Sequence, residues 1–154
     1  MPKKSAGLLL YRERAGRLEV FLVHPGGPFW ARKDAGAWSI PKGEFGDDED
    51  ALHAARREFA EETGLSVDGA FVALPPLRQP SGKLIHAFAL RADVDPAQLR
   101  SNTFMLEWPP KSGQQREFPE VDRAAWFALD EAAAKIQNGQ APLLQRLRRL
   151  AGAS

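Results

Sequence analysis

The sequence predicts an α/β fold in one domain, and three observations carry that expectation. Two aliphatic segments near the N-terminus read as paired strands, the stretch from Asp48 to Thr63 reads as a long helix, and several further strand-like segments precede two short helical ones. Strands and helices alternate too irregularly for a doubly wound parallel sheet. A chain of 154 residues with 44% hydrophobic content suits a single core, so one domain spanning residues 1–154 is expected. No internal repeat, low-complexity tract or domain linker interrupts it.

Ser5 to Tyr11 and Leu18 to Val23 are short and aliphatic, and the polar run Arg12 to Arg17 between them predicts a hairpin. His24-Pro25-Gly26-Gly27 and Pro28 break regular structure and open a loop towards Trp38. Trp38-Ser39-Ile40 reads as a short strand ended by Pro41. From Asp48 to Thr63 there is neither Gly nor Pro, while Ala, Glu and Arg dominate, and Gly64 follows as a C-terminal cap. Ala70–Leu74, Leu84–Ala92, Thr103–Trp108 and Ala124–Leu129 read as further strands. The polar stretch from Pro109 to Pro119 reads as a loop, mobile over Pro109 to Gly113. Asp130 is placed to cap a short helix running to Ile136, and Pro142 to start a last helix ending about Leu150.

Composition removes several classes of function. With no cysteine there are no disulfides, thiolate metal sites or cysteine nucleophiles, so a metal would rest on oxygen or imidazole. A formal charge of +1 provides no overall field for a large nucleic-acid footprint or an anionic membrane. The apolar run Ala6–Tyr11 is too short for a signal-peptide core or a membrane span, which makes a cytoplasmic protein the expectation.

The chemistry concentrates between Gly43 and Leu65. At about 100° per residue, Glu58, Glu61 and Glu62 share roughly one 100° sector of the predicted helix, while Ala51, Leu52, Ala55 and Phe59 occupy the adjoining one. Three carboxylates therefore border a buried face, where mutual repulsion and desolvation disfavour their charged forms. Hard divalent cations take oxygen ligands, and magnesium commonly completes its shell with substrate phosphates. Glutamates at such spacings also occur on solvated helix faces, with His53, Arg56 and Arg57 to balance them, and that fragment alone leaves both readings open.

The full spacing is more specific. Gly43, Glu49, Arg57, Glu58, Glu61, Glu62 and Gly64, with apolar Phe59 and Leu65, fill every fixed place of G-x5-E-x7-R-E-U-x-E-E-x-G-U, where U is apolar. A chance match is rarer than roughly one in a million. On this motif the chain resembles the Nudix hydrolase family. The resemblance implies an α/β/α sandwich with a mixed sheet and a loop–helix–loop catalytic motif. It also implies a pyrophosphohydrolase that uses Mg2+ or Mn2+ to cut a diphosphate linkage, within a nucleoside diphosphate joined to another moiety. Position by position, it makes Glu61 and Glu62 metal ligands, with Glu62 the more central, and Glu58 a further ligand or the base that activates water. The main-chain carbonyl of Gly43 becomes an extra ligand, and Arg57 and Glu49 become a pair that braces the loop against the helix. Glu117 and Glu120 are alternative sources of a carboxylate from outside the motif, against the plainer reading of a solvated loop.

Substrate information is thinner. Trp38, Pro41, Lys42 and Gly43 form a W-x-x-P-K-G pattern similar to family members acting on dinucleoside polyphosphates or diphosphoinositol phosphates, and Lys42 would place a point charge on a phosphate. A nucleoside triphosphate is a further option, and Glu44 departs from the Gly or His found in those branches. Phe29, Trp30 and Trp108 are the loop-adjacent aromatics able to stack on a base, although packing explains them as well. Lys111 and Arg116 are loop cations able to touch phosphate or simply face solvent. His24, His53 and His86 lack metal-ligand spacing. The competing expectation from another class is a non-catalytic Nudix-fold module that senses a nucleotide or binds a partner, against which the intact motif speaks.

Overall fold

In the computed structural model, which describes residues 3–152, an N-terminal hairpin organises the sheet. Strand β1 (Lys4–Arg14) turns through Ala15 and Gly16 into β2 (Arg17–Pro25). Both turn residues have positive φ, 53° and 76°, as a two-residue hairpin turn of the favoured twist requires. Residues Tyr11 to Arg14 pair with Arg17 to Val20. Before that register the two strands part, and the segment following the long loop inserts into the fork. Val23 exchanges backbone hydrogen bonds with Ser39, the Leu8 amide donates to the Pro41 carbonyl, and β3 (Lys42–Glu44) pairs antiparallel with Ser5 to Gly7.

Helix α1 (Ala51–Thr63) follows β3, and its ends have identifiable causes. Asp50 accepts the His53 amide at 3.1 Å, so the expected start at Asp48 moves to the residue after the cap. Gly64, at φ 71°, turns the chain, and its amide donates to the Ala60 carbonyl. The left-handed conformation and the close Arg100 carbonyl both favour glycine there.

Strands β4 (Val72–Ala73), β5 (Leu77–Arg78) and β6 (Leu84–Arg91) come next. β6 runs parallel to β1 along eight residue pairs, whereas β9 (Val121–Ala128) lies antiparallel to β2. The main path is β4-β6-β1-β2-β9, with β3 on β1 and β5 on β6, giving a mixed sheet. Successive side chains of β1 and β2 enter opposite cores. Leu8, Leu10 and Phe21 pack with Ala54, Ala55 and Phe59 of α1, while Leu9, Val20 and Leu22 pack with α2 (Leu129–Lys135) and α3 (Pro142–Ala151). Burial on both faces explains why these strands read as unbroken aliphatic runs rather than alternating ones. The outcome is the expected α/β/α sandwich. Among the described residues no helix is long and apolar enough to cross a membrane.

Several local expectations change. β2 continues through His24 to Pro25, its register shift falling between those two residues, so the strand tolerates proline at its end. His24 is fully buried, its Nδ1 2.9 Å from Asp122 and its Nε2 2.6 Å from the Lys33 carbonyl, a structural role that ties the loop to β9. Trp38 and Ser39 make only isolated bridges, and the strand lies beyond Pro41 instead. α2 begins at Leu129 after Ala128, while Asp130 sits within its first turn and accepts the Glu131 amide. The expected strand Ala70–Leu74 contracts to Val72–Ala73. Within the stretch read as a loop, Gln115–Pro119 forms β8, which pairs with β7 (Thr103–Glu107) as a two-stranded ribbon.

Candidate active site

Glu58 and Glu62 stand one helical turn apart on α1, facing β3. The Lys42 amide donates to Glu62 Oε1 at 3.2 Å. A Cβ at Gly43 would overlap the Glu58 carboxylate, so glycine there lets this carboxylate lie directly on the β3 backbone. The fork between β1 and β2 thus positions the strand against which both carboxylates rest.

Arg57 occupies the neighbouring edge. Its Nε and a terminal nitrogen reach the two oxygens of Glu49 at 2.8 and 2.9 Å, a bidentate pair spanning the loop and the helix. The other terminal nitrogen lies 3.3 Å from Glu61 and 3.4 Å from Glu58. The Arg57 hydrogen bond holds the Glu49 carboxyl down at about 2, with His53 adding a second contact at 2.9 Å. Arg57 is in turn held protonated, by Glu49 first.

The buried carboxylates behave oppositely. Burial, reinforced by Glu58 and Glu120, pushes Glu62 up to about 8 despite the Lys42 amide and ammonium, which pull it down. Glu58 is raised by burial first, then by Glu61 and Glu120, against the lowering effect of Arg57. Burial and Lys83 lower Lys42, partly offset by Glu62, Glu44 and Glu58. The pocket therefore disfavours both signs of charge until a ligand enters. Lys42, Glu62 and Glu120 line a cavity of about 140 Å³ together with Pro25, Ser39 and Gln137. Two larger depressions, one beside Arg12 and Trp126 and one between α2 and α3, contain none of these carboxylates. The small cavity is the chemically organised one.

Of the two carboxylates considered outside the motif, Glu120 is close enough to raise both Glu58 and Glu62, whereas Glu117 lies on β8 opposite Met105. The Glu120 backbone is fixed from both sides, its amide donating to Asn102 and its carbonyl accepting from Gly26. Gln137 and Pro25 had no signal in the sequence, because only the tertiary fold brings them to Lys42. Among the described residues no three acidic or histidine side chains converge as a ready cation cage, and Glu61 is turned to Arg57. The oxygen-only donor set of Glu58 and Glu62, with the exposed Glu120 at the rim, nevertheless fits a hard divalent cation, since the burial that raises Glu58 and Glu62 towards protonation is what such an ion relieves.

The bracing pair yields a testable expectation. Arg57→Ala and Glu49→Ala each lower activity about 10–100-fold, as removal of residues that orient a site typically does. The double variant loses less than the product of the two, and Arg57→Ala costs more, because it also releases Glu58 and Glu61. Steady-state rates of the four proteins decide this, and strict multiplicativity would show that the residues act separately.

Comparison with known proteins places this geometry. The family model described as the NUDIX domain matches residues 1–147. Among solved structures, an Ap4A hydrolase from C. elegans, crystallised as a binary complex, is similar at 20% identity and TM-score 0.66, over 99% of each chain. The NUDIX domain of Shewanella oneidensis NrtR, complexed with ADP ribose, is similar at 16% identity and TM-score 0.67, over 98% of this chain and 89% of that one. The solution structure of the E. coli ORF135 protein is similar at 25% identity and TM-score 0.56, over 99% and 94%. With the family model spanning nearly the whole chain around a complete motif, the protein belongs to the Nudix family.

Proposed function

We propose that the chain hydrolyses a diphosphate linkage in a nucleoside diphosphate joined to another moiety, and that its preferred substrate is a dinucleoside polyphosphate. The observation that carries this reading is the placement of Glu58 and Glu62 on one turn of α1 against the β3 backbone, with Glu62, Glu120 and Lys42 lining one cavity. A magnesium or manganese ion held by Glu58, Glu62 and the Gly43 carbonyl, with Glu61 turned to it from Arg57 and Glu120 at the rim, would neutralise phosphate oxygens and acidify a water molecule. Lys42 supplies a cation to a phosphate, whose negative charge offsets the burial that lowers the lysine. As the alternative to binding metal, Glu58 is the base that accepts a proton from attacking water, a task for which its burial-raised basicity suits it. Arg57 and Glu49 keep the loop and helix in register. Phosphoryl transfer of this kind relies on positioning and charge stabilisation and needs no covalent enzyme intermediate.

The compounds named with the similar structures, Ap4A and ADP ribose, both carry a nucleoside diphosphate joined to a further group. The Trp38, Pro41, Lys42 and Gly43 pattern favours the dinucleoside class. A panel of dinucleoside polyphosphates, nucleoside triphosphates, nucleotide sugars and diphosphoinositol phosphates, assayed with magnesium or manganese, tests the reading. A dinucleoside polyphosphate is expected to give the highest kcat/KM, above any nucleoside triphosphate, and the reverse ranking would remove the substrate assignment. The second reading is a nucleotide-sensing module without catalysis, favoured by the engagement of Glu61 with Arg57 and the lack of a ready cation cage among the described residues. Nucleotide binding without turnover across the panel would select it.

A further inference from the structure

The β7–β8 ribbon stands apart from the main sheet, with its root at the candidate site. At that root the Glu120 amide bonds to Asn102, and the Gly26 amide bonds to the Glu120 carbonyl. Directly opposed residues in an antiparallel pair share a face. One face therefore carries Phe104 with Phe118 and Leu106 with Arg116, and Trp108 continues it beyond Glu107. This face turns towards the loop after β2: the Phe104 ring lies against Gly27, and Phe29 meets Trp108 edge-on, with ring centroids 5.5 Å apart. The outer face carries Met105, Glu107 and Glu117.

Phe29 is nevertheless 61% exposed, although the loop that carries it is fastened behind it. The Lys33 carbonyl is held by His24, Trp38 Nε1 donates to Asp34, and Trp30 packs against the core. A fixed, open aromatic ring beside a second aromatic ring is a stacking platform. Trp108 lies six residues along the ribbon from Asn102, about 20 Å at the usual strand rise. Phe29 lies three residues beyond Gly26, no more than about 11 Å away. The pair thus stands within about 20 Å of the root at Glu120, a span that a polyphosphate chain starting at the site covers. Arg116 lies between, and it makes no ion pair among the described residues.

We infer that Phe29 and Trp108 form a second subsite, which stacks the base of the distal nucleoside of a dinucleoside polyphosphate while Arg116 attends the intervening phosphates. This rests on the dinucleoside polyphosphate reading above. It gives the ribbon and the loop a joint task, and it makes the length of the phosphate bridge a determinant of specificity.

The test is equilibrium binding, with magnesium present, of an uncleavable methylene-bridged analogue of diadenosine tetraphosphate, and of inorganic tripolyphosphate as the control without bases. In Phe29→Ala, affinity for the analogue falls roughly tenfold, in keeping with the loss of one base–aromatic stack, and affinity for tripolyphosphate is unchanged. Phe29→Tyr restores the analogue's affinity, and Arg116→Gln weakens both ligands. Phe29 is exposed, so its replacement leaves the fold intact, which thermal melting verifies. Equal effects of Phe29→Ala on the two ligands, or no effect on either, would overturn the subsite. Binding is read without turnover, so the two readings fail separately. A chain that binds through Phe29 but cuts nothing loses the catalytic reading, and one that cuts dinucleoside polyphosphates while Phe29→Ala binds normally loses the subsite.

Discussion

Excess EDTA is expected to abolish hydrolysis, and added magnesium or manganese to restore it, a change of several orders of magnitude in rate. The charge inventory of the site demands this. Glu62 and Glu120 line the cavity where a diphosphate would lie, Glu58 stands one turn of α1 from Glu62, and Lys42 is the cation lining the same cavity. Burial weakens even that cation, and the neighbouring Lys83 is turned to Glu44 at 3.2 Å. A polyanionic substrate entering such a pocket meets like charge or protonated carboxyls, neither of which stabilises the charge that builds on the leaving phosphate. Phosphate release measured across a chelator titration checks the expectation. A full rate in excess EDTA would remove the proposed chemistry altogether.

What the sequence makes legible follows from how local the determinants are. α1 is readable because alanines and glutamates over four turns, an aspartate before them and a glycine after them are all local signals. The Arg57–Glu49 pair is readable for a related reason, since loop and helix are contiguous and the motif spacing is fixed. The fork between β1 and β2 is not. It depends on Leu8 meeting Pro41 and Val23 meeting Ser39, hydrogen bonds between separated segments that leave no periodicity behind. β8 escaped because Gln115 to Pro119 is almost entirely exposed and lacks the apolar alternation that marks a half-buried strand. Without β8, nothing in the sequence separates Glu117 from Glu120. The ribbon separates them, sending Glu117 outwards and fixing Glu120 at the junction with β9. Gln137 lies beyond such reasoning altogether, because it reaches the cavity from the turn after α2, on the opposite layer from α1.

Glu62→Gln separates catalysis from folding. The substitution keeps the size of the side chain and an acceptor for the Lys42 amide, but it removes the charge of the residue at the centre of the carboxylate group, so kcat falls by several orders of magnitude. Stability moves the other way. In the metal-free wild type, Glu62 titrates near 8 instead of near 4.5, so between those values the folded state holds a proton that the unfolded chain has lost. Stability therefore falls as pH rises through that window, by up to about 1.4 kcal/mol per pH unit, and levels off above it. Glu49, held at about 2, acts in a separate window: its contribution is present above the ordinary glutamate range and lost as the solution is acidified towards 2. In EDTA, Glu62→Gln lacks the neutral-range slope, matching the wild type near pH 4.5 and exceeding it above pH 8. Magnesium, which binds the folded protein, then raises the melting temperature of the wild type more than that of the variant. Melting curves from pH 4 to pH 9, with and without magnesium, read both effects beside turnover. Near-normal kcat in Glu62→Gln would remove its assigned role, and parallel pH profiles in EDTA would show that its buried carboxylate is not what disfavours the folded state at neutral pH.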